Sequence, residues 1–93
     1  MIRSFRHKGL RRLFEGNDPR GVPAQLAQKI RRMLAQLHVS EAPEDMDGMP
    51  GWRLHPLKGD RAGQWSVTVS GNLRIVFAFQ GKDALEVDLV DYH

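Results

Sequence analysis

The sequence contains no cysteine in its 93 residues, which excludes a disulfide framework, a thiolate zinc site and a cysteine nucleophile. No apolar run approaches the roughly 18–20 residues needed to span a bilayer, so a membrane helix is excluded. The opening segment MIRSFRHKGLRR interrupts each apolar pair with a cation and offers no signal-peptide h-region, so a cytoplasmic protein is expected. No pair among His7, His38, His55 and His93 stands at i, i+4, and their spacing matches no zinc pattern. Neither a metal nor a small-molecule cofactor is expected. Internal repeats and low-complexity segments are absent as well.

The chain length suits one domain, residues 1–93, because chains divide only well beyond that size. With 41% hydrophobic and 27% charged residues, the composition is that of an ordinary globular protein. Net charge is +3, but it is unevenly spread. Residues 1–32 hold nine Lys and Arg against Glu15 and Asp18, a local charge of +7, which leaves −4 for the remainder. The acids gather at 41–47 and 83–91. Such asymmetry fits a polyanionic or an acidic protein partner, and equally a solvated cationic face that keeps a small domain soluble.

Ile2 and Phe5 mark a short first strand in IRSF. Leu10, Leu13 and Phe14 recur at i, i+3, i+4, predicting a short amphipathic helix that ends near Gly16. GNDPRGVP is turn chemistry. Pro23 suits a first helical position, and Leu26, Ile30, Met33, Leu34 and Leu37 form one stripe, predicting a second helix from about residue 23 to 38. Residues 40–51, SEAPEDMDGMPG, read as an irregular connector. Beyond it the period changes to two. WRLHPL (52–57) is a candidate strand with Pro56 at an edge or end. Trp65, Val67 and Val69 alternate with Ser66, Thr68 and Ser70. Leu73, Ile75, Phe77 and Phe79 alternate with Arg74, Val76 and Ala78, and Leu85, Val87 and Leu89 with Glu86 and Asp88. Short turns at Gly71–Asn72 and Gly81–Asp83 favour an antiparallel meander. The expected fold is α+β: two N-terminal helices on one face of a small antiparallel sheet.

The polar residues of that sheet are the candidates for chemistry. His55, Lys58 and Arg61 fall within HPLKGDR, Arg74 stands alone on an apolar strand, and Asp91, Tyr92 and His93 end the chain. The meander allows these groups to converge on one edge of the sheet. Each taken singly also has a plainer role: a structural histidine, an arginine lying along the sheet with a solvated head, loop solubilisers, a frayed terminus.

The strings RSFRHKGLRRLFE, GVPAQ, LHPLKGDRAGQWSVTV, NLRIVF and the terminal VDYH are similar to the HigB-type toxins of bacterial toxin–antitoxin pairs, within the RelE superfamily. The resemblance covers the chain apart from residues 38–51. It implies a RelE-like fold and a small ribonuclease that cleaves mRNA in the ribosomal A site, silenced by a HigA-like antitoxin with a helix-turn-helix domain. It also implies an active site of His55, Asp91, Tyr92 and His93, with Lys58 and Arg74 as phosphate-facing cations.

Those residue types suit metal-free RNA cleavage. The reaction needs a base for the 2′-hydroxyl proton, an acid for the 5′-oxygen leaving group and cations on the phosphate. Two histidines divide base and acid near neutral pH. Arg74 grips phosphate oxygens through its fork and Lys58 acts as a point charge. Asp91 orients or charges a histidine, or acts as base directly. Tyr92 stacks on a base or places a proton. Arg61 and Asn72 are the expected RNA contacts, with Asn72 reading a base edge, and the basic N-terminal third follows rRNA or the antitoxin. The expected function is therefore a metal-independent, ribosome-dependent mRNA endoribonuclease. A gyrase poison resembling the ParE toxins, or a non-catalytic ribosome-binding module, stands as the alternative.

Overall fold

The helix expected around Leu10, Leu13 and Phe14 spans Lys8–Gly16 (α1) in the computed structural model, which describes residues 1–92. His7 caps its start, Nδ1 accepting from Leu10 N at 3.1 Å, so one of the orphan N–H groups of the first turn is satisfied. Asn17 ends it in the left-handed region, φ 54, its N–H returning to Leu13 O. The second helix, α2, runs Ala27–Val39. It starts later than the stripe alone predicts, because Pro23 opens a separate 3-10 turn, Ala24–Leu26, before the helix. Ile30, Met33, Leu34 and Leu37 are fully buried, while Leu26 at the lip of the stripe is only partly so. In the connector, the Asp45 carboxylate accepts from Glu41 N and Ala42 N at 2.9 and 3.3 Å. That folds the acidic stretch into a turn and drives Met46 into the core. Among the described residues no helix is long and apolar enough to cross a membrane.

Four strands follow: β1 His55–Pro56, β2 Gln64–Ser70, β3 Leu73–Gln80 and β4 Asp83–Asp91. They pair antiparallel in the order β1-β2-β3-β4, the meander expected from the short turns. The candidate strand over 52–57 shrinks to two residues. Trp52 is pulled into the core at 8% exposure, Arg53 turns left-handed at φ 50, and Pro56 has no N–H to offer a ladder. The IRSF segment is not a full strand either. It makes two isolated parallel bridges, Ile2↔Ala84 and Phe5↔Val87, that cover the outer edge of β4 and so protect it from further pairing. Asp83 secures this arm, its carboxylate accepting from Arg3 Nε at 3.0 Å.

Alternation fails at one place in β4. Ala78 pairs with Leu85 but Val76 pairs with Asp88, so two residues of β4 stand against Phe77. Glu86 occupies the bulge with φ 54, and Ser4 Oγ accepts from its N–H at 2.9 Å. One extra residue reverses the facing of everything before it. Leu85 therefore shares the outer face with Ala78, and Ala84 takes the core position. Both helices pack on the face carrying Val67, Val69, Ile75, Phe77, Ala84 and Val87. The opposite face, with Ser66, Thr68, Arg74 and Val76, has no helix over it.

Candidate active site on the open sheet face

In an antiparallel sheet, partners in register share a face. One row of the open face is therefore His55, Ser66, Val76 and Asp88, and the next is Thr68, Arg74 and Val90. A depression of about 320 Å³ lies here, walled by Arg53, His55 and Leu57 on one side and by Arg74 and Tyr92 on the other. Ser66 and Thr68 of β2 form its floor. Among the described residues two guanidinium groups and no carboxylate line it, a wall that suits an anion.

Arg74 is held rather than loose. Its Nη1 donates to Thr68 Oγ1 at 2.8 Å and to Gly71 O at 3.1 Å. Its guanidinium carbon stands 5.9 Å from the centre of the Tyr92 ring, within cation–π range. Among the described residues no hydrogen bond uses Nη2, so its donors are available to a bound group. Tyr92 is fixed in turn by its own N–H, which donates to Asn72 O at 2.9 Å.

The expected residues thus divide. His55, Arg74 and Tyr92 meet in the pocket, on a sheet face rather than the sheet edge that the topology suggested. Lys58 is exposed and directly follows the wall residue Leu57, at the start of the 3-10 turn Gly59–Arg61. Arg61 donates from Nη1 to Gln64 Oε1 at 3.2 Å, outside the pocket wall. Asn72 belongs to the β2–β3 turn, not to a strand, and its carbonyl rather than its side chain is engaged. Asp91 is exposed and pairs with Leu73, which puts it on the opposite side of β4 from Val90 and Tyr92. His93 lies outside the described residues. Four wall or floor residues were missed by sequence reasoning: Arg53, Leu57, Ser66 and Thr68. The alternation of Trp52 and Leu54 with Arg53 and His55 carried the signal for the first.

Comparison with known proteins gives the family and the fold. The family described as the RelE-like toxin of type II toxin-antitoxin system HigB matches residues 3–93. Over 93 residues, covering all of both chains, the sequence is 44% identical to the endoribonuclease HigB of Proteus vulgaris. A copper-bound mutant toxin from Helicobacter pylori superposes with a TM-score of 0.54 at 13% identity. That superposition covers 98% of this chain and 94% of the other, a likeness of fold. A helix-backed antiparallel meander with a cationic pocket on its bare face is, in this company, a RelE-like toxin. Within that class the chain belongs to the HigB-like family, the toxin partners of antitoxins in type II systems.

Proposed function

We propose that this toxin is a metal-independent mRNA endoribonuclease acting in the ribosomal A site, and that a HigA-like helix-turn-helix antitoxin silences it. The observation that carries the reading is Arg74, fixed by Thr68 and Gly71 and held near Tyr92, in a pocket whose described lining includes His55 and no acid. An arginine oriented before substrate arrives is what stabilises charge developing on a phosphate. The 44% identity to an endoribonuclease supports the same reading.

In the proposed reaction a base removes the 2′-hydroxyl proton, and the oxygen attacks the adjacent phosphorus. The 5′-oxygen leaves with a proton from the acid, giving a 2′,3′-cyclic phosphate and a 5′-hydroxyl. His55 and His93 divide the two proton transfers, one as base and one as acid. Asp91 acts by orienting or charging a histidine. Arg74 holds the non-bridging oxygens through Nη2 and Lys58 adds a mobile point charge. Tyr92 presents a ring for a single-stranded base. Arg61 and Asn72 contact the RNA at the rim, and the basic N-terminal third follows rRNA.

A programmed ribosome carrying one 2′-deoxynucleotide at the cleavage position tests the mechanism. Cleavage is expected to vanish on that mRNA and persist on the all-ribose control. Cutting of both would refute 2′-hydroxyl attack, and cutting of neither would favour a non-catalytic module.

A further inference from the structure

Arg53 lines the same pocket as His55, Arg74 and Tyr92, and the reaction above gives it no role. Its backbone is left-handed, φ 50, a conformation that is strained for a residue with a Cβ. The surroundings impose it. Trp52 is buried, its carbonyl accepting from Thr68 N at 2.6 Å, and Leu54 packs against the core. Between two inward-facing neighbours, Arg53 is turned outward into the pocket. The bond between Thr68 N and Trp52 O sets the Trp52–Arg53 backbone beside Thr68, on the flank of β2 away from Arg74, which pairs with Thr68 from β3. Two strand spacings of about 4.8 Å therefore separate their backbones, and both arginines line the pocket. Arg53 is exposed and, among the described residues, makes no hydrogen bond or ion pair.

We propose that Arg53 is a second phosphate-binding residue, holding a phosphate next to the scissile one; the proposal rests on the endoribonuclease reading. An RNA strand brings one phosphate per nucleotide. When Arg74 engages the reacting one, the opposite wall receives a neighbour in the chain. A guanidinium fork fits phosphate oxygens with two parallel bonds, and the fork of Arg53 is uncommitted where that of Arg74 has spent Nη1 on the protein. Backbone strain maintained at a pocket wall by packed neighbours is the usual mark of a functional position. Because that neighbouring phosphate carries the same charge before and during reaction, Arg53 strengthens substrate binding rather than the chemical step.

The test is cleavage kinetics on programmed ribosomes at several salt concentrations, for wild type, Arg53→Asn and Arg53→Lys. Asparagine adopts the left-handed region readily, so the variant is expected to fold, and a thermal melt checks it. Arg53→Asn is expected to raise KM about tenfold, with kcat within about twofold of wild type. Its log KM against log salt should be shallower by about 0.7, the contribution of one phosphate contact on a single strand. Arg53→Lys keeps the slope. An Arg53→Asn variant with wild-type KM and slope overturns the proposal while leaving the nuclease intact. So does a raised KM with an unchanged slope, which means base stacking, or a fall in kcat alone. Wild-type protein that cuts no mRNA overturns both this proposal and the endoribonuclease reading.

Discussion

Replacing Thr68 by valine isolates one hydrogen bond. Both side chains are β-branched and nearly equal in volume, so strand preference and packing persist while the hydroxyl is lost. The bond removed joins Thr68 Oγ1 to Arg74 Nη1 at 2.8 Å. A bond to a charged group contributes about 1.5–3 kcal/mol when its loss strands a buried partner. Here the partner is only half-buried, keeps Gly71 O at 3.1 Å and regains water. The expected cost in stability is therefore about 1 kcal/mol or less, a fall in Tm of at most about 4–8 °C for a domain of this size.

The catalytic effect should be larger than the structural one. Full removal of one preoriented stabiliser costs about 10²–10³ in rate, roughly 2.7–4 kcal/mol. Thr68→Val leaves the charge in the pocket and releases one of its two tethers, so about half that free energy, a drop of about 10–30-fold in kcat, is expected. KM should change less than about threefold because the cation remains. Thr68→Ser restores the hydroxyl and should recover most of the rate. Single-turnover cleavage of mRNA on programmed ribosomes, with thermal melts alongside, measures both effects. A Thr68→Val enzyme cutting at the wild-type rate, or a serine variant as slow as valine, would show that this bond does not position Arg74.

Deleting Tyr92 and His93 removes the bond to Asn72 O and the ring beside Arg74. It should abolish cleavage and growth arrest while shifting stability by about 1 kcal/mol, checked by intact mass, melting and a toxicity assay. Gly9→Ala places a Cβ 2.2 Å from Gly21 O, both in rigid backbone. Separation of α1 from the 19–21 turn should cost about 2–3 kcal/mol, measured by denaturant unfolding. Asp83 is the pH-sensitive latch of the N-terminal arm. The hydrogen bond from the Arg3 guanidinium holds its carboxyl below the usual carboxylate range, against an opposing effect of desolvation. A lowered folded-state value means the tether is present above about pH 4 and is lost as pH falls through the folded value. Hydrogen-exchange protection at Arg3 and Ala84 should fall in that acid range, and Asp83→Asn should show the loosened arm at neutral pH.

The elements whose physics is local were legible. Leu10 and Leu13 in α1, and Ile30, Met33, Leu34 and Leu37 in α2, repeat at a helical period because a single face is buried. Short turns between alternating runs leave no room for anything but antiparallel neighbours. What escaped reading depends on partners distant in sequence. The bulge at Glu86 exists because Ser4, eighty-two residues away, accepts its N–H, and no pattern within β4 announces it. Thr68 faces Arg74 only once the β2–β3 register is known. Asp91 shares its strand with Val90 but not its facing, so Asp91 and Tyr92, adjacent in sequence, are separated by the pleat.

That separation points to the β2–β3 turn as the element that assembles the pocket. The register slips between Thr68 and Ser70, and Gly71 then turns with φ 53, a value that glycine adopts without strain. The slip and turn aim two carbonyls at different targets. Gly71 O receives Arg74 Nη1, and Asn72 O receives Tyr92 N. Arg74 and Tyr92 are thereby tied to adjacent residues of one tight turn, which is why two groups eighteen residues apart stand within cation–π distance. Tyr92 is held by a backbone bond, independent of its side-chain chemistry. Its ring is free to be selected for what it does to substrate, as the open face, unburdened by packing against a helix, is free to receive it.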